Sequence, residues 1–289
     1  MKISGFTIVR NAIKYDYPIV EAITSILPIC DEIIVAVGLS DDGTLELIRS
    51  IKSSKIKIVE TVWDDSLREG GRVLADETNK AFAAISTDSD WAFYIQGDEV
   101  IHEEQLPVIM AAMQQYKDNK KIEGLLFDYT HLYGSYDYVG DARRWYRKEI
   151  RVVRNDKAIS SYKDAQGFRK NGKKLKVKAI AANVYHYGWV KPPEAQQAKQ
   201  QTFHKLWHTD EWMKQNIPQV DKFDYSTIDS IEHFKGTHPV VMQERINKMN
   251  WKFSFDPTIK KLSFKLKVLM FIEKKFGWKI GEYKNYKII

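Results

Sequence analysis

The stretch Trp91-Ala92-Phe93-Tyr94-Ile95-Gln96-Gly97-Asp98-Glu99 decides how this chain is read. An apolar and aromatic run without a charge predicts a buried strand, and it stops abruptly in a polar turn ending in carboxylates. The same rhythm runs upstream. Lys2 to Val9 is a β-branched apolar run broken by Arg10 and Asn11, and Pro18 opens a helix in which Ile19, Ile23 and Ile26 recur at helical spacing. Glu32 to Val37 predicts a second strand ending at Gly38. The turn Ser40-Asp41-Asp42-Gly43-Thr44 then enters a short helix with Leu47, Ile48 and Ile51. Lys57 to Val62 predicts a third strand, and a helix from about Arg72 carries Leu74, Ala81, Phe82 and Ile85 on one face. Strands separated by helices of this length imply an α/β fold with a mostly parallel sheet and helices on its faces. In such sheets ligands bind at the carboxyl ends of the strands, where these polar turns fall.

Beyond Val100 the order changes. A helix from about Glu103 to Tyr116 leads to a strand, Gly124 to Asp128, and an aromatic loop, Tyr129 to Tyr138. Ile150 to Arg154 and Val177 to Tyr187 read as further strands. From Lys191-Pro192-Pro193 onward the pattern is mainly helical, so the prolines divide a core of residues 1–190 from a C-terminal region, 191–289. No internal repeat or low-complexity tract appears.

With 289 residues, 44% of them hydrophobic, the chain can bury a sizeable core. Its single cysteine, Cys30, cannot form an internal disulfide, which fits a reducing, cytoplasmic setting. The N-terminus reads as a first strand, not a signal peptide, and no stretch approaches the roughly 20 apolar residues that span a bilayer. The expectation is a soluble protein, or one lying on a membrane surface. The net charge of +7 suits a nucleotide diphosphate, an anionic lipid surface or nucleic acid. No zinc, RNP-type or helix-turn-helix signature supports nucleic acid. A nucleotidyltransferase would show a glycine-rich basic loop after the first strand, and Thr7-Ile8-Val9-Arg10-Asn11-Ala12 has no glycine.

Taken in order, the Ser40-to-Thr44 turn, the helical segment Gly71 through Asn79-Lys80-Ala81, the Gln96-Gly97-Asp98-Glu99 turn and the downstream His186-Tyr187-Gly188 resemble a family 2 glycosyltransferase of the GT-A fold. The resemblance covers roughly the first 190 residues. It implies a Rossmann-like catalytic domain with a helical C-terminal extension, moving a sugar from a nucleotide-diphosphate donor to a saccharide or lipid-linked acceptor. Inversion at the anomeric carbon, a setting in surface polysaccharide assembly and a divalent cation, Mn2+ or Mg2+, are implied in the same way. The cation would offset the charge that the leaving diphosphate gains.

On that resemblance Asp98 is the expected metal ligand; the structural alternative is a cap for the helix near Glu103. His186 is the second expected ligand, or else a histidine satisfied within an aromatic cluster. The family usually has an aspartate where this chain has Gln96, whose amide can still bond a donor hydroxyl. Arg10, Asn11, Asp42 and Asn79 complete the expected donor contacts; Asp42 can equally be a turn residue, and Asn79 can hold the strand-two turn or sit mid-helix. The family's acidic residue at the end of strand two is missing in Val37-Gly38-Leu39, which leaves the nucleobase open.

Asp164 is the expected base that deprotonates the acceptor, with Asp141 and Glu149 as competitors; otherwise it is a loop aspartate paired with Lys163 or Arg169. The run Arg143, Arg144, Arg147, Lys148 and Arg151 reads mostly as a solvated face, the alternative being a phosphate- or acceptor-contacting role for one or two of them. Near the C-terminus Leu262, Leu266, Leu269, Ile272 and Phe276 share a helical face beside lysines. That helix either packs on the core, the favoured reading, or meets an anionic membrane on its cytoplasmic side. A catalytically inactive nucleotide-sugar-binding or scaffold protein of the same fold is the competing reading.

Overall fold

The computed structural model describes residues 1–67, 69–217 and 220–289, and for Glu69 the backbone alone. Its N-terminal part alternates strand and helix: β1 (Ile3–Val9), α1 (Ile19–Ile26), β2 (Glu32–Gly38), α2 (Thr44–Arg49), β3 (Ile56–Thr61), α3 (Arg72–Ala83) and β4 (Trp91–Tyr94). β1 pairs in parallel with β2 and β4, and β2 pairs in parallel with β3, giving the order β3-β2-β1-β4. The chain therefore crosses to the other side of β1 between β3 and β4. Such a reversal opens a crevice at the carboxyl ends of the two central strands. Asn11 and Asp98 follow those two ends.

Alternation along the strands builds a core on each face of the sheet. Val35, Val37, Trp91 and Phe93 face one way, toward Ile19, Ile23 and Ile26 of α1. Ile34, Ala36, Ala92 and Tyr94 face the other, toward Ala81 and Phe82 of α3. With both faces covered, β2 is buried along its whole length, which is why it reads as an unbroken apolar run. Trp91 is fully buried, donates its indole N–H to the Met113 carbonyl at 3.0 Å and lies under the Arg154 guanidinium.

Past β4 come β5 (Glu99–Ile101), α4 (Leu106–Tyr116), β6 (Gly124–Tyr133), β7 (Ser135–Gly140), β8 (Lys148–Arg154), β9 (Ile159–Tyr162), β10 (Gly167–Lys170), β11 (Lys173–Lys174) and β12 (Lys176–Trp189). β8 runs antiparallel to both β4 and β6, while β12 is parallel to β6 and antiparallel to β5. The sheet is thus parallel in its first half and mixed in its second, in line with the α/β architecture expected. The aromatic stretch expected as a loop is also different. β6 continues to Tyr133 and turns at Gly134, whose φ of 73° is open to glycine, into β7. Aromatic residues favour a pleated, half-buried surface, and here they receive one.

The C-terminal region contains α5 (Pro193–Lys205), α6 (Asp210–Asn216), β13 (Ile231–His233), α7 (Gln243–Asn247), α8 (Phe264–Phe276) and β14 (Lys287–Ile288), joined by long irregular segments. β13 pairs with β7 and β14 with β12, so this region extends the same sheet. α8 buries no residue. It is held by Glu273, which takes Arg143 at 2.6 Å and also Arg147, and it leaves Phe264, Val268 and Phe271 exposed. Among the described residues no helix is long and apolar enough to cross a membrane.

Candidate active site

Asp98 sits in the turn between β4 and β5, and β12 brings His186 to it. The antiparallel pairing of β5 and β12 sets His186 opposite Glu99, and the Tyr187 amide donates to the Asp98 carbonyl at 2.8 Å. The His186 Nε2 then lies 3.7 Å from Asp98 Oδ2. The helical cap expected as the alternative role for Asp98 is supplied by His102 instead, whose Nδ1 accepts from the Glu104 amide.

The state of His186 follows from its neighbours. His131 Nε2 meets the Tyr146 carbonyl at 2.7 Å, and a carbonyl only accepts, so Nε2 carries the proton. His131 is buried, and burial together with His186 pushes its pKa down to about 3, so the ring is neutral and its Nδ1 accepts. His186 Nδ1, 3.1 Å away, must then be the donor. Burial lowers the pKa of His186 as well, against the pull of Asp98. Its Nε2 therefore presents a lone pair toward the Asp98 carboxylate.

A lone pair facing a carboxylate calls for a cation, and Gly188 leaves room for one. A Cβ at Gly188 would lie 2.6 Å from His186 Nε2 and 2.7 Å from Asp98 Oδ2, between the two donor atoms. A carboxylate plus an imidazole whose other nitrogen is held by an outer partner is a donor set that fits Mn2+ or a similar ion. Among the described residues no group of three or more His, Cys, Asp or Glu side chains gathers as a metal site. The protein would supply these two donors, and the bound donor and water the rest.

A side-chain cation is already present. Lys199, on α5, donates to Asp98 Oδ2 at 2.9 Å and to the Gly188 carbonyl at 3.1 Å. Burial alone would raise the pKa of Asp98, but Lys199 foremost holds the carboxyl well below its ordinary range. Lys191 is fully buried, donates to the Tyr15 carbonyl at 2.7 Å and, with Lys199, flanks the Tyr17 ring. α5 is seated by Pro193 in its first turn and by the Tyr15 hydroxyl, which donates to Thr202 at 2.8 Å. Neither lysine was singled out from the sequence: Lys199 stands on a polar helix and reads as solvated, and Lys191 reads as part of a linker ahead of it.

Gln96 lies beneath this centre. Its Oε1 accepts from Arg151 at 3.4 Å, and its Nε2 reaches the Ala165 carbonyl at 3.4 Å. Arg151 is fully buried and grips Glu99 with two bonds of 2.7 Å, while the Tyr129 hydroxyl donates to the same carboxylate. Tyr94 and Tyr129 place their rings beside the guanidinium. This corrects the solvated reading of Arg151: strand alternation on β8 turns it inward, onto the carboxylate that follows Asp98.

Asp164 is half-buried in the β9–β10 turn. Lys163 and Ala165 on either side have φ of 55° and 61°, left-handed values that cost side-chain-bearing residues energy. Burial raises the pKa of Asp164, opposed by the amides of Asp164 and Gln166. The partners it might have taken point elsewhere: Arg169 donates to Phe168, Asn285 and Tyr283, and Lys163 lies over the Tyr162 ring. Gly71, at φ 70°, faces this turn, and a Cβ there would lie 3.0 Å from the Asp164 Cβ and 3.1 Å from Trp207. The Trp207 indole N–H has no hydrogen-bond partner among the described residues. Asn79 accepts from the Ser161 amide at 2.7 Å, so it holds the strand that carries Asp164 and not the strand-two turn. Of the competitors, Asp141 is occupied by Lys260 and Ser230, and Glu149 is buried with its pKa pushed up to about 8 by burial.

At the end of β1, Asn11 adopts φ 54° and accepts from the Asp41 amide, while its own amide donates to Ser40. Asp42 accepts from the Thr44 and Lys14 amides, so its carboxylate builds the turn. Arg10 lies over the Trp63 ring and 3.4 Å from Asp65. A cavity of about 260 Å³ lies beside this turn, between Gly38, Ser40, Thr44 and Thr61; Asp98 does not line it.

No family model matches the chain, and no curated protein does. Among solved structures it is similar to TarS of S. aureus, at 16% identity over 70% of this chain with a TM-score of 0.42. It is also similar to TarS 1–349 in complex with UDP, at 15% identity over 71% of this chain with a TM-score of 0.42. The matches span 39% of the first TarS chain and 65% of the second. A third likeness is to glucosyl-3-phosphoglycerate synthase from Mycobacterium tuberculosis in complex with Mn2+, UDP and phosphoglyceric acid. There the identity is 21%, over 45% of this chain and 43% of that one, with a TM-score of 0.30. Likenesses at these TM-scores assign no role to any residue of this chain.

Proposed function

We propose that the chain is a glycosyltransferase that moves a sugar from a nucleotide-diphosphate donor to a saccharide or lipid-linked acceptor, with inversion. The observation that carries this reading is the pairing of Asp98 with a tautomer-fixed His186 around Gly188, at the carboxyl-end crevice of β1 and β4. Lys199 beside the pair suits the negative charge of a diphosphate. Asn11 and the Ser40-to-Thr44 turn border the same crevice, where the nucleoside would lie, with Arg10 and the Trp63 ring at its rim. Gln96 would reach the donor's ribose or sugar hydroxyls.

A divalent cation, Mn2+ or Mg2+, when held by Asp98 and His186, would supply charge stabilisation for the leaving diphosphate. Asp164 takes the proton from the acceptor hydroxyl as that oxygen attacks the anomeric carbon from the face opposite the diphosphate. Its raised pKa suits a group that must receive a proton. Trp207 offers an aromatic face and an unpartnered N–H beside Asp164, which are the two kinds of contact a sugar ring can use. Asn79 and Gln96 act as positioning residues by holding Ser161 and Ala165 on either side of the base.

The C-terminal helix fits a peripheral place on the cytoplasmic face of a membrane. Phe264, Val268 and Phe271 form an outward stripe at helical spacing, with Lys275 over the Phe271 ring on the same line and Lys265, Lys267 and Lys274 on its sides. Apolar residues bordered by lysines match an anionic lipid surface. Co-sedimentation with phosphatidylglycerol vesicles, lost in Phe271→Asp, supports this; equal binding by that variant overturns it.

The transferase reading is tested by thermal shift with a panel of nucleoside diphosphates, with Mn2+ or with EDTA, on wild type and Asp98→Asn. Ligand bound to the native state raises Tm. Stabilisation by one nucleotide, absent in Asp98→Asn, supports the reading. No shift with any nucleotide overturns it.

A further inference from the structure

Lys199 and a divalent cation compete for one oxygen. Lys199 Nζ bonds Asp98 Oδ2 at 2.9 Å, and that is the oxygen that faces His186 Nε2. The Asp98 carboxylate is already paired with the Lys199 ammonium. A dication added alone would leave the carboxylate, the ammonium and the cation with a net charge of about +2, which is unfavourable in a poorly hydrated place. A dication arriving with a diphosphate brings its own compensation.

We infer that Lys199 is the counter-ion of Asp98 in the donor-free enzyme and passes to the diphosphate when the donor binds, so that cation and donor enter together. The inference rests on the nucleotide-sugar reading. Lysine suits this task because its ammonium is a point charge on a flexible four-carbon stem. Among the described residues Lys199 is hydrogen-bonded at its tip to Asp98 and the Gly188 carbonyl, beside the Tyr17 ring, and Gly188 is the residue whose missing side chain leaves the space between Asp98 and His186. Lys191 cannot exchange in this way, because it is fully buried and fixed on the Tyr15 carbonyl. A second observation points to a polar ligand on this side of α5. Gln196 lies one helical turn before Lys199 on the same face and is fully buried, and neither its Oε1 nor its Nε2 has a partner among the described residues. Buried amide atoms are normally bonded; a phosphate oxygen would accept from Nε2, and a sugar hydroxyl would donate to Oε1.

The test uses the full chain with two probes in separate arms. Manganese chloride alone is titrated and free Mn2+ is read by its paramagnetic resonance signal; inorganic pyrophosphate is titrated calorimetrically in EDTA. Lys199→Met is expected to bind Mn2+ alone about tenfold tighter than wild type and pyrophosphate about tenfold more weakly, the scale of effect one neighbouring charge exerts. Lys199→Arg keeps the charge and is expected to match wild type in both arms, which separates loss of charge from loss of fold. Unchanged Mn2+ affinity in Lys199→Met, or Lys199→Arg behaving like Lys199→Met, overturns the inference. Asp98→Asn tells the two claims apart. If it abolishes Mn2+ binding while Lys199→Met changes nothing, only the role of Lys199 falls. If Asp98→Asn binds Mn2+ and pyrophosphate as wild type does, the transferase site falls with it.

Discussion

The Nδ1 atoms of His131 and His186 face each other at 3.1 Å, and the Tyr146 carbonyl on the far side of His131 decides which of them holds the proton. The consequence appears two rings away, where His186 Nε2 offers a lone pair next to Asp98. His131 touches neither metal nor donor in this scheme. It orients the residue that does.

His131→Leu removes the acceptor for His186 Nδ1 and frees the ring to take the other tautomer. Outer partners of metal-bound histidines are generally worth about 10- to 100-fold in metal affinity. A loss of that size in Mn2+ affinity, measured with the stabilising nucleoside diphosphate present, is the expected outcome. Unchanged affinity would show that the tautomer is set elsewhere.

The Glu99–Arg151 pair concerns stability first. Both side chains are fully buried, so Arg151→Met leaves the Glu99 carboxylate uncompensated, which costs about 3–5 kcal/mol for a buried pair broken on one side. The double variant Glu99→Leu with Arg151→Met removes both charges and recovers most of that loss. Urea denaturation of both variants checks this; a single variant as stable as wild type would be inconsistent with the buried pair.

Glu149 makes stability depend on pH. Its pKa is pushed up from the ordinary 4.5 to about 8 by burial, with Arg151 opposing, and its Oε2 has no hydrogen-bond partner among the described residues. The folded state therefore holds a proton that the unfolded chain has lost between those two values. Its stabilising contribution is complete below about pH 4.5 and is lost as pH rises through about 8. Glu149→Gln removes the titrating group, so its Tm is expected to fall less than that of wild type over this window. Parallel Tm curves would argue against a buried neutral Glu149.

Asp164→Asn keeps the shape of the turn and removes the proposed base. Transfer is expected to fall by about 10²- to 10⁴-fold while nucleotide affinity stays the same. Because burial raises the carboxyl's pKa, the acidic limb of the wild-type rate profile should lie above the ordinary aspartate range, with activity lost as pH falls through it. An Asp164→Asn enzyme with wild-type turnover would return the role of base to another group.

Much of this arrangement was legible in the sequence. The abrupt end of an apolar strand at Gln96 to Glu99 marked Asp98 as a candidate, and the order of turns made Asn11 and Asp42 candidates at neighbouring strand ends. Asn79 was flagged, but its partner Ser161 lies on a hairpin whose position depends on the whole sheet. Lys199 was missed because it meets Asp98 across 101 positions, and local pattern gives a lysine on a polar helix to solvent. Arg151 was hidden in a basic run for the same reason. Its burial depends on strand register and on the presence of Glu99, neither of which charge counting can reveal. The Tyr129-to-Tyr138 stretch misled in the opposite direction, since a dense aromatic cluster without a charge pattern resembles a binding loop as much as a strand pair.

The most direct test of the central claim is release of nucleoside diphosphate from the sugar nucleotide whose base stabilises the protein, without acceptor. A transferase leaks some donor to water, so wild type is expected to release the diphosphate slowly and Asp98→Asn not at all. Tight binding of that sugar nucleotide with no release, with or without saccharide acceptors, would contradict the account and leave a nucleotide-sugar-binding protein in its place.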